Sequence, residues 1–386
     1  MRRSVDRILT THVGTLQRPA ELSQLMVKKG QDAPEVQEQL RLAVAQVVRQ
    51  QRETGIDVLG DGEFGKSIWS WYVTERLEGI ERREWGGDFV LKGRDRAEFA
   101  EFYQWADAHA TTFGFMEDSY WREAFATQPV CTGPLRYRDG AVRRDIANLT
   151  EALSGQDGTE AFMPVVAPAS ITVGVINEYY PSDDEFLRAL ADAMKAEYHA
   201  IIDAGFLLQV DDAWLPALWD RSPELDLDSY RRRAASWIEV LNHALDGLPG
   251  DRIRYHICWG SWHGPHAHDS GLADIIDLVL RVNAGGYSIE AANSRHEHEY
   301  HLWEDVTLPE GKILIPGVVT HATNLIEHPE LVAERIIRFA DRVGRENVIA
   351  SADCGFGCRI HPQLGWAKMA ALVDGAALAS HRLWNR

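Results

Sequence analysis

Short apolar runs alternate along the chain with longer segments of helical periodicity. The apolar runs lie at 8–15, 56–62, 162–170, 206–212, 253–260, 286–292, 313–319 and 347–355. Between most of them, apolar residues recur at three- and four-residue spacing, as in DDEFLRALADAMKAEYHAIIDAG, which is typical of amphipathic helices. Strands that alternate with such helices form parallel βαβ units, so eight of them predict an α/β fold, a single (β/α)8 TIM barrel. A doubly wound sheet is less favoured, because no GxGxxG follows the first strand.

One interval breaks this alternation. Residues 64–150 separate the second and third predicted strands, which is far longer than an ordinary connection. The interval is rich in aromatic and charged residues and contains a further predicted strand at 129–135. No repeat, low-complexity tract or Pro/Gly/Ser linker divides the chain. We therefore predict one barrel domain over residues 1–386, with an insertion after the second strand at about 64–150.

Composition and charge narrow the class of partner. A net charge of -18 disfavours a nucleic-acid partner, which requires a basic surface. No apolar run reaches the roughly 18 residues of a membrane helix, and the N-terminal MRRSVDRILTTH lacks the apolar region of a signal peptide. Four scattered cysteines are too few for a disulfide framework in a chain of this size. These features predict a cytoplasmic protein with reduced thiols, and they are compatible with a homo-oligomer.

Several polar residues stand where predicted strands end, and in a barrel the carboxyl ends of the strands form the active site. His256 and Cys258 are two residues apart on one strand and therefore lie on the same face. Glu290 ends the next strand, and Cys354 ends the last one. Two thiols, an imidazole and a carboxylate form a donor set that suits tetrahedral zinc.

The spacing of these residues leaves other interpretations open. A cysteine in a strand is often a small buried apolar residue, and a histidine in a strand is often a hydrogen-bonded core residue. Cys354 is also a candidate nucleophile with His256 as its base. The His-rich loops at 263–268 and 296–301 are interpreted as the lining of a polar active-site mouth rather than as a second metal site.

A series of short motifs resembles the cobalamin-independent methionine synthase family. The motifs are, in chain order, THVGTLQRP, DVLGDGE, LQVDDAWLP, HICWG, SIEAANSR, IPGVV and ADCGFGCR. The resemblance covers nearly the whole chain and corresponds to the catalytic C-terminal barrel of that family. It implies that His256, Cys258, Glu290 and Cys354 are ligands of Zn²⁺. It also implies a transferase that moves a methyl group from a methyl-folate-type donor onto a small-molecule thiol, with homocysteine as the acceptor.

The resemblance further implies a set of substrate-binding residues. Glu63 and Asp211 match acidic positions that hold the ammonium group of the amino-acid thiol. The less favoured alternative is that Asp211 and Asp212 cap the following turn. Val13, Gly14 and Thr15 match a turn whose backbone N–H groups and hydroxyl hold a substrate carboxylate.

The chain departs from the family pattern in ways that leave the substrates open. It has room for one barrel, whereas the full-length methionine synthases have two. The family segment GVYDIHS, whose His donates a proton, is GVVTHATN here, so Ala322 takes the His position and His321 stands one place earlier. We retain His321 as the candidate catalytic residue.

Two other functions remain open from the sequence. One is an alkyltransferase that uses another thiol or donor, as in the one-barrel epoxyalkane:coenzyme M transferases of the same superfamily. The other is a zinc- or thiol-binding protein without transferase activity.

Overall fold

The computed structural model describes residues 1–84, 92–109, 118–124, 126–156 and 158–384. In this part of the chain, eight strands form one parallel sheet. They are β1 (Leu9–Thr10), β2 (Val58–Gly60), β5 (Glu160–Val166), β7 (Leu207–Asp211), β8 (Ile253–Ile257), β9 (Gly286–Ile289), β10 (Ile313–Val319) and β11 (Ile349–Ala352). Their spatial order is β1-β11-β10-β9-β8-β7-β5-β2.

The two ends of this sheet meet at Thr10 and Asp57. The backbone N–H of Asp57 donates to the carbonyl of Thr10 at 3.1 Å, and the Asp57 carboxylate accepts from the N–H of Thr10 at 2.9 Å. The sheet is thereby nearly closed, which confirms the predicted (β/α)8 barrel. The first two strands are shorter than the predicted spans 8–15 and 56–62, because the chain beyond each strand turns into the loops at the barrel mouth.

Helices surround the sheet. Their bounds are α1 (Ala20–Lys29), α2 (Pro34–Thr54), α3 (Tyr72–Arg76), α4 (Arg94–Glu98), α5 (Ala100–Ala108), α6 (Ser119–Ala124), α7 (Gly140–Ala152), α8 (Pro168–Thr172), α9 (Asp183–Asp203), α10 (Trp214–Arg221), α11 (Leu227–Ala244), α12 (Ile276–Val279), α13 (Pro329–Val343) and α14 (Pro362–Trp384). Among the long helices, α7 packs between α2 and α9, α9 packs on α11, and α14 packs on both α13 and α2. Their apolar faces and the outer faces of the strands form the main buried core.

A second, smaller sheet lies outside the barrel. It consists of β3 (Leu77–Glu84), antiparallel to β4 (Thr127–Tyr137), and of β6 (Ile176–Asn177), parallel to β4. Strand β4 covers the strand predicted at 129–135. The predicted end of the insertion at residue 150 does not match the end of this sheet. Strand β6 lies after residue 150 in the chain, and α7, which lies before it, packs with the helices around the barrel. Residues 85–91, 110–117 and 125 of the predicted insertion lie outside the described residues.

Buried ion pairs connect this region to the helices around the barrel. Arg76, at the end of α3, donates to Glu197 of α9 at 2.9 Å and also to Asp145 of α7. All three side chains are buried. Within the described residues, no helix has both the length and the apolar character that a membrane crossing requires.

Candidate metal centre

The carboxyl ends of β8 and β11 bring an imidazole and two thiols together. His256 lies in β8, Cys258 follows that strand directly, and Cys354 follows β11. One ligand atom from each of these residues lies within 4.8 Å of the others. This is the one cluster of three or more potential metal ligands within the described part of the chain. His256 and Cys258, which the sequence places on one strand face, thus lie next to Cys354, which comes from the end of another strand of the barrel.

The orientation of the His256 ring is set from the neighbouring strand. Its Nδ1 lies 3.0 Å from the hydroxyl of Ser288 in β9, whereas its Nε2 is buried and has no hydrogen-bond partner. A buried polar atom without a partner is unusual in a folded protein and calls for an explanation. A nitrogen held in this way, with the other nitrogen hydrogen-bonded, is the arrangement found in metal-binding histidines.

The two thiols lie against each other without a disulfide. The Sγ atoms of Cys258 and Cys354 are 3.9 Å apart, and both cysteines are free. The hydrogen bond between the thiols lowers the pKa of Cys354 well below its usual value of 9.0, and the nearby His256 and His321 rings act in the same direction. The same hydrogen bond and burial raise the pKa of Cys258. The two thiols therefore lose their protons as a coupled pair.

Glu290 lies beside this cluster but is not a member of it. Its carboxylate accepts from the backbone N–H of Trp259 at 3.4 Å and from the side chain of Asn293 at 2.7 Å. Burial is the main cause that raises the pKa of Glu290 well above 4.5, and the negative charge of Asp353 is the second. Asp353 also accepts from the N–H groups of Ala291 and Ala292 at 2.7 and 2.8 Å, and this fixes the loop that carries Glu290.

A cavity opens from the thiols towards the other predicted residues. Val13, Thr15, Glu63 and Asp211 line it together with His256, Cys258 and Cys354. The Thr15 hydroxyl donates to Glu63 at 2.7 Å, and the side chain of Gln209 donates to Asp211 at 2.9 Å. Burial is the main cause that raises the pKa of Asp211 well above 3.8, and the negative charge of Glu63 is the second. The two carboxylates and the thiols are therefore parts of one site.

Gly14 and His321 are placed differently from the residues that line the cavity. The N–H of Gly14 donates to Nδ1 of His12 at 3.2 Å, and a Cβ at this position would lie 2.6 Å from the Glu63 carboxylate. Gly14 thus permits close packing of its turn against Glu63. His321 is buried, its Nδ1 has no hydrogen-bond partner, and burial lowers its pKa to about 4. The ring is consequently neutral at physiological pH.

The His-rich loops form hydrogen bonds with carboxylates. Asp269 bridges His266 and His296 at 2.9 and 3.2 Å, and His296 also contacts Glu299 at 2.9 Å. The His296 ring stacks on Trp259 with centroids 3.7 Å apart. These contacts buttress the loop that follows Cys258. Among the described residues, none of the histidines of these two loops lines the cavity, so their interpretation as the lining of a polar mouth stays a prediction.

Sequence reasoning missed several supporting residues. Ser288 orients His256, Asn293 donates to the Glu290 carboxylate, and Lys66 pairs with Glu63 at 3.4 Å. Ser288 lies two residues before Glu290, Asn293 lies three residues after it, and Lys66 lies three residues after Glu63. Proximity in the chain to a candidate residue was the one available signal for them.

Comparison with known proteins identifies the family of this chain. The family described as "Cobalamin-independent synthase, Catalytic domain" matches residues 168–377. A methionine synthase of Thermococcus kodakarensis is 23% identical over 90% of this chain and 84% of its own length. A 2-hydroxypropyl-CoM lyase of Xanthobacter autotrophicus is 24% identical over 90% of this chain and 87% of its own length.

Solved structures show the same fold. A B12-independent methionine synthase from Shewanella, in complex with selenomethionine, superposes with a TM-score of 0.73 at 19% identity, over 98% of this chain and all of that one. The sequence match covers more than half of the chain, and it contains His256, Cys258, Glu290 and Cys354. The protein is therefore an enzyme of the transferase class that belongs to the cobalamin-independent methionine synthase family.

Proposed function

We propose that this protein is a zinc-dependent transferase that moves a methyl or other small alkyl group onto a substrate thiol. The observation that carries the proposal is the cluster of His256, Cys258 and Cys354 at the inner end of a cavity. Thiols and imidazole are the ligands that zinc prefers over magnesium or calcium, which take oxygen ligands.

The donor set fits a zinc ion in two respects. The unpartnered, buried Nε2 of His256 is explained by a ligand at that atom. The distance of 3.9 Å between the two Sγ atoms is close to the roughly 3.8 Å that separates two sulfur ligands of a tetrahedral zinc with Zn–S bonds of about 2.3 Å. His256, Cys258 and Cys354 would hold the ion, and Glu290 would complete the set if it released Trp259 and Asn293.

A bound Zn²⁺ lowers the pKa of a thiol that coordinates it and so keeps that thiol nucleophilic near neutral pH. The residues of the chain perform the remaining tasks. Ser288 holds the His256 ring in position. The cavity walls at Thr15, Glu63 and Asp211 orient the far end of the thiol substrate and exclude water from it.

His321 is the residue that we propose for proton transfer. Its ring is neutral and lies close enough to Cys354 for the two to interact electrostatically, and one ring nitrogen is free of other partners. A group that leaves the alkyl donor as an anion requires a proton, and a buried imidazole near Cys354 is suited to relay one.

The proposal extends to the identity of the thiol acceptor and of the alkyl donor. The resemblance noted above implies homocysteine and a methyl-folate-type donor, as expected for a methionine synthase. The similarity to a 2-hydroxypropyl-CoM lyase, at an identity equal to or above that of the methionine synthases, supports an alternative thiol or donor on the same site.

Metal analysis followed by thiol titration tests the proposal. We expect zinc in the purified protein and release of about one proton per bound thiol. Zinc-free protein whose Cys354→Ser variant behaves as wild type would overturn both the zinc-dependent reaction and the alternative of Cys354 as a nucleophile, and it would favour a non-catalytic role. Zinc-loaded protein that takes up thiols but transfers no alkyl group would identify a thiol-binding protein.

A further inference from the structure

Lys66 places a cation of the chain inside the substrate cavity. It lies three residues after Glu63, in the turn that follows β2, and its side chain is 4% exposed. Its ammonium group is 3.4 Å from Glu63 Oε2, donates to the carbonyl of Pro164, and lies 4.5 Å from the centre of the Tyr72 ring. The Lys66 ammonium is therefore held by a carboxylate, a carbonyl and an aromatic face.

Both oxygens of the Glu63 carboxylate already have partners within the protein. One carboxylate oxygen of Glu63 accepts from the Thr15 hydroxyl at 2.7 Å, and the other faces Lys66. The fold holds this geometry in place, because Glu63 adopts a left-handed backbone conformation with φ of 60° that turns Lys66 back towards it. The negative charge of Glu63 is thus already paired with a cation of the protein.

The other carboxylates of the cavity are also engaged. Asp118 accepts two hydrogen bonds from Arg18, at 2.9 and 3.2 Å. Asp211 accepts from Gln209, and it feels the positive charge of Lys66 as well as the negative charge of Glu63. A buried ammonium requires anions to replace its water, and here Glu63 already supplies its carboxylate to the Lys66 ammonium.

A second ammonium beside Glu63 would lie next to Lys66. Like charges brought together away from water repel strongly, and a site built in this way discriminates against the cationic ligand. Lys66 is buried, and its contacts with Glu63, Pro164 and Tyr72 hold its ammonium away from solvent.

From this geometry we infer that Lys66 sets substrate specificity, and that the acceptor thiol carries no ammonium group at its far end, as in a mercaptoalkanoate. This inference rests on the proposed function and changes the acceptor expected from homocysteine to a thiol acid without an amino group. Lys66 is a specificity-determining residue of the thiol site and takes no part in the transfer itself.

Three thiols of matched length test the inference: homocysteine, 4-mercaptobutanoate, which lacks its amino group, and 3-mercaptopropylamine, which lacks its carboxylate. Dissociation constants are measured by calorimetry on the zinc-loaded protein. We expect 4-mercaptobutanoate to bind at least about tenfold more tightly than either amine. Lys66→Met should reverse the order of 4-mercaptobutanoate and homocysteine, because it frees Glu63 for the substrate ammonium. Lys66→Arg should keep the wild-type order, and so should Lys28→Met, which removes an exposed lysine.

The outcomes separate the two claims. Homocysteine binding to wild type as tightly as 4-mercaptobutanoate would overturn the role of Lys66 and leave the transferase standing. Uptake of none of the three thiols by zinc-loaded protein would overturn the proposed function and this inference with it. If Lys66→Met does not fold, as judged by circular dichroism, the comparison of the three thiols on wild type and Lys66→Arg still decides the question.

Discussion

The Sγ atoms of Cys258 and Cys354 lie 3.9 Å apart, although 96 residues separate them in the chain. Cys258 follows β8 and Cys354 follows β11, with β9 and β10 between these strands in the sheet. The two thiols meet because the curvature of the barrel directs both strand ends towards its axis. These two free thiols and a buried imidazole close to them form the candidate metal centre.

The first prediction concerns metal content. Wild-type protein purified without chelators should contain about one equivalent of zinc, and Cys354→Ser should contain less than about half, because a zinc site that loses a thiolate loses a strong ligand. Cys131→Ser is the matched control, since Cys131 is a buried free thiol in β4, outside the site. Atomic absorption measures both variants. Equal zinc in Cys354→Ser and wild type would contradict the assignment.

The second prediction concerns the support of His256. Ser288→Ala removes the partner of Nδ1, so the ring loses its fixed orientation and zinc should bind about 10–100-fold more weakly. Competition with a chromogenic chelator measures this affinity. Ser351→Ala is the control, because Ser351 is a buried serine of β11 whose hydroxyl has no hydrogen-bond partner. Similar affinities in both variants would show that Ser288 does not position the ligand.

The third prediction concerns His321. His321→Ala should reduce the rate of alkyl transfer about 10²–10⁴-fold, the usual contribution of a proton-transfer residue, while zinc content and thiol binding stay at wild-type levels. Single-turnover measurements with zinc-loaded protein separate transfer from binding. His301→Ala alters an exposed histidine and should leave the rate unchanged. An unchanged rate in His321→Ala would make His321 a core residue.

The fourth prediction concerns the dependence of stability on pH. Burial alone would lower the pKa of His296, but its hydrogen bonds to Asp269 and Glu299 outweigh burial and raise the pKa from 6.5 to about 10. A group with a raised folded-state pKa contributes its full stability below the unfolded value and loses it as pH rises through the folded value. His296→Asn should therefore cost more unfolding free energy near pH 6 than near pH 10.

Urea unfolding at the two pH values measures this difference. The control is His301→Asn, in the same loop, whose pairing with Glu304 is exposed and is therefore expected to contribute little at either pH. A loss of stability in His296→Asn that is constant across this range would contradict the charged state of His296.

The fifth prediction concerns the ion pairs of Arg76. Arg76→Met leaves Glu197 and Asp145 buried without their cation and should destabilise the protein by about 3–5 kcal/mol. Arg83→Met removes an exposed pair with Glu178 and should cost no more than about 1 kcal/mol. Chemical unfolding of the two variants provides the comparison. Equal costs would show that the buried network contributes no more than a surface pair.

The candidate site was only partly predictable from the sequence. Period-two geometry places His256 and Cys258 on one strand face, and the structure keeps them there. Glu290 was assigned to the same ligand set, yet its carboxylate is bound to Trp259 and Asn293 in the structure. The difference arises because Glu290 lies just past its strand, where loop conformation rather than strand alternation directs the side chain.

By itself, the sequence determined the alternation of strands and helices, the residues at the strand ends and the family to which the chain belongs. These features depend on periodicity and on motifs, which are local properties. Only the tertiary structure decided that Cys258 and Cys354 are in contact, that Ser288 orients His256, and that Lys66 donates to the carbonyl of Pro164. Such distances join distant parts of the chain, and the closure of the barrel and the packing of its loops determine them together.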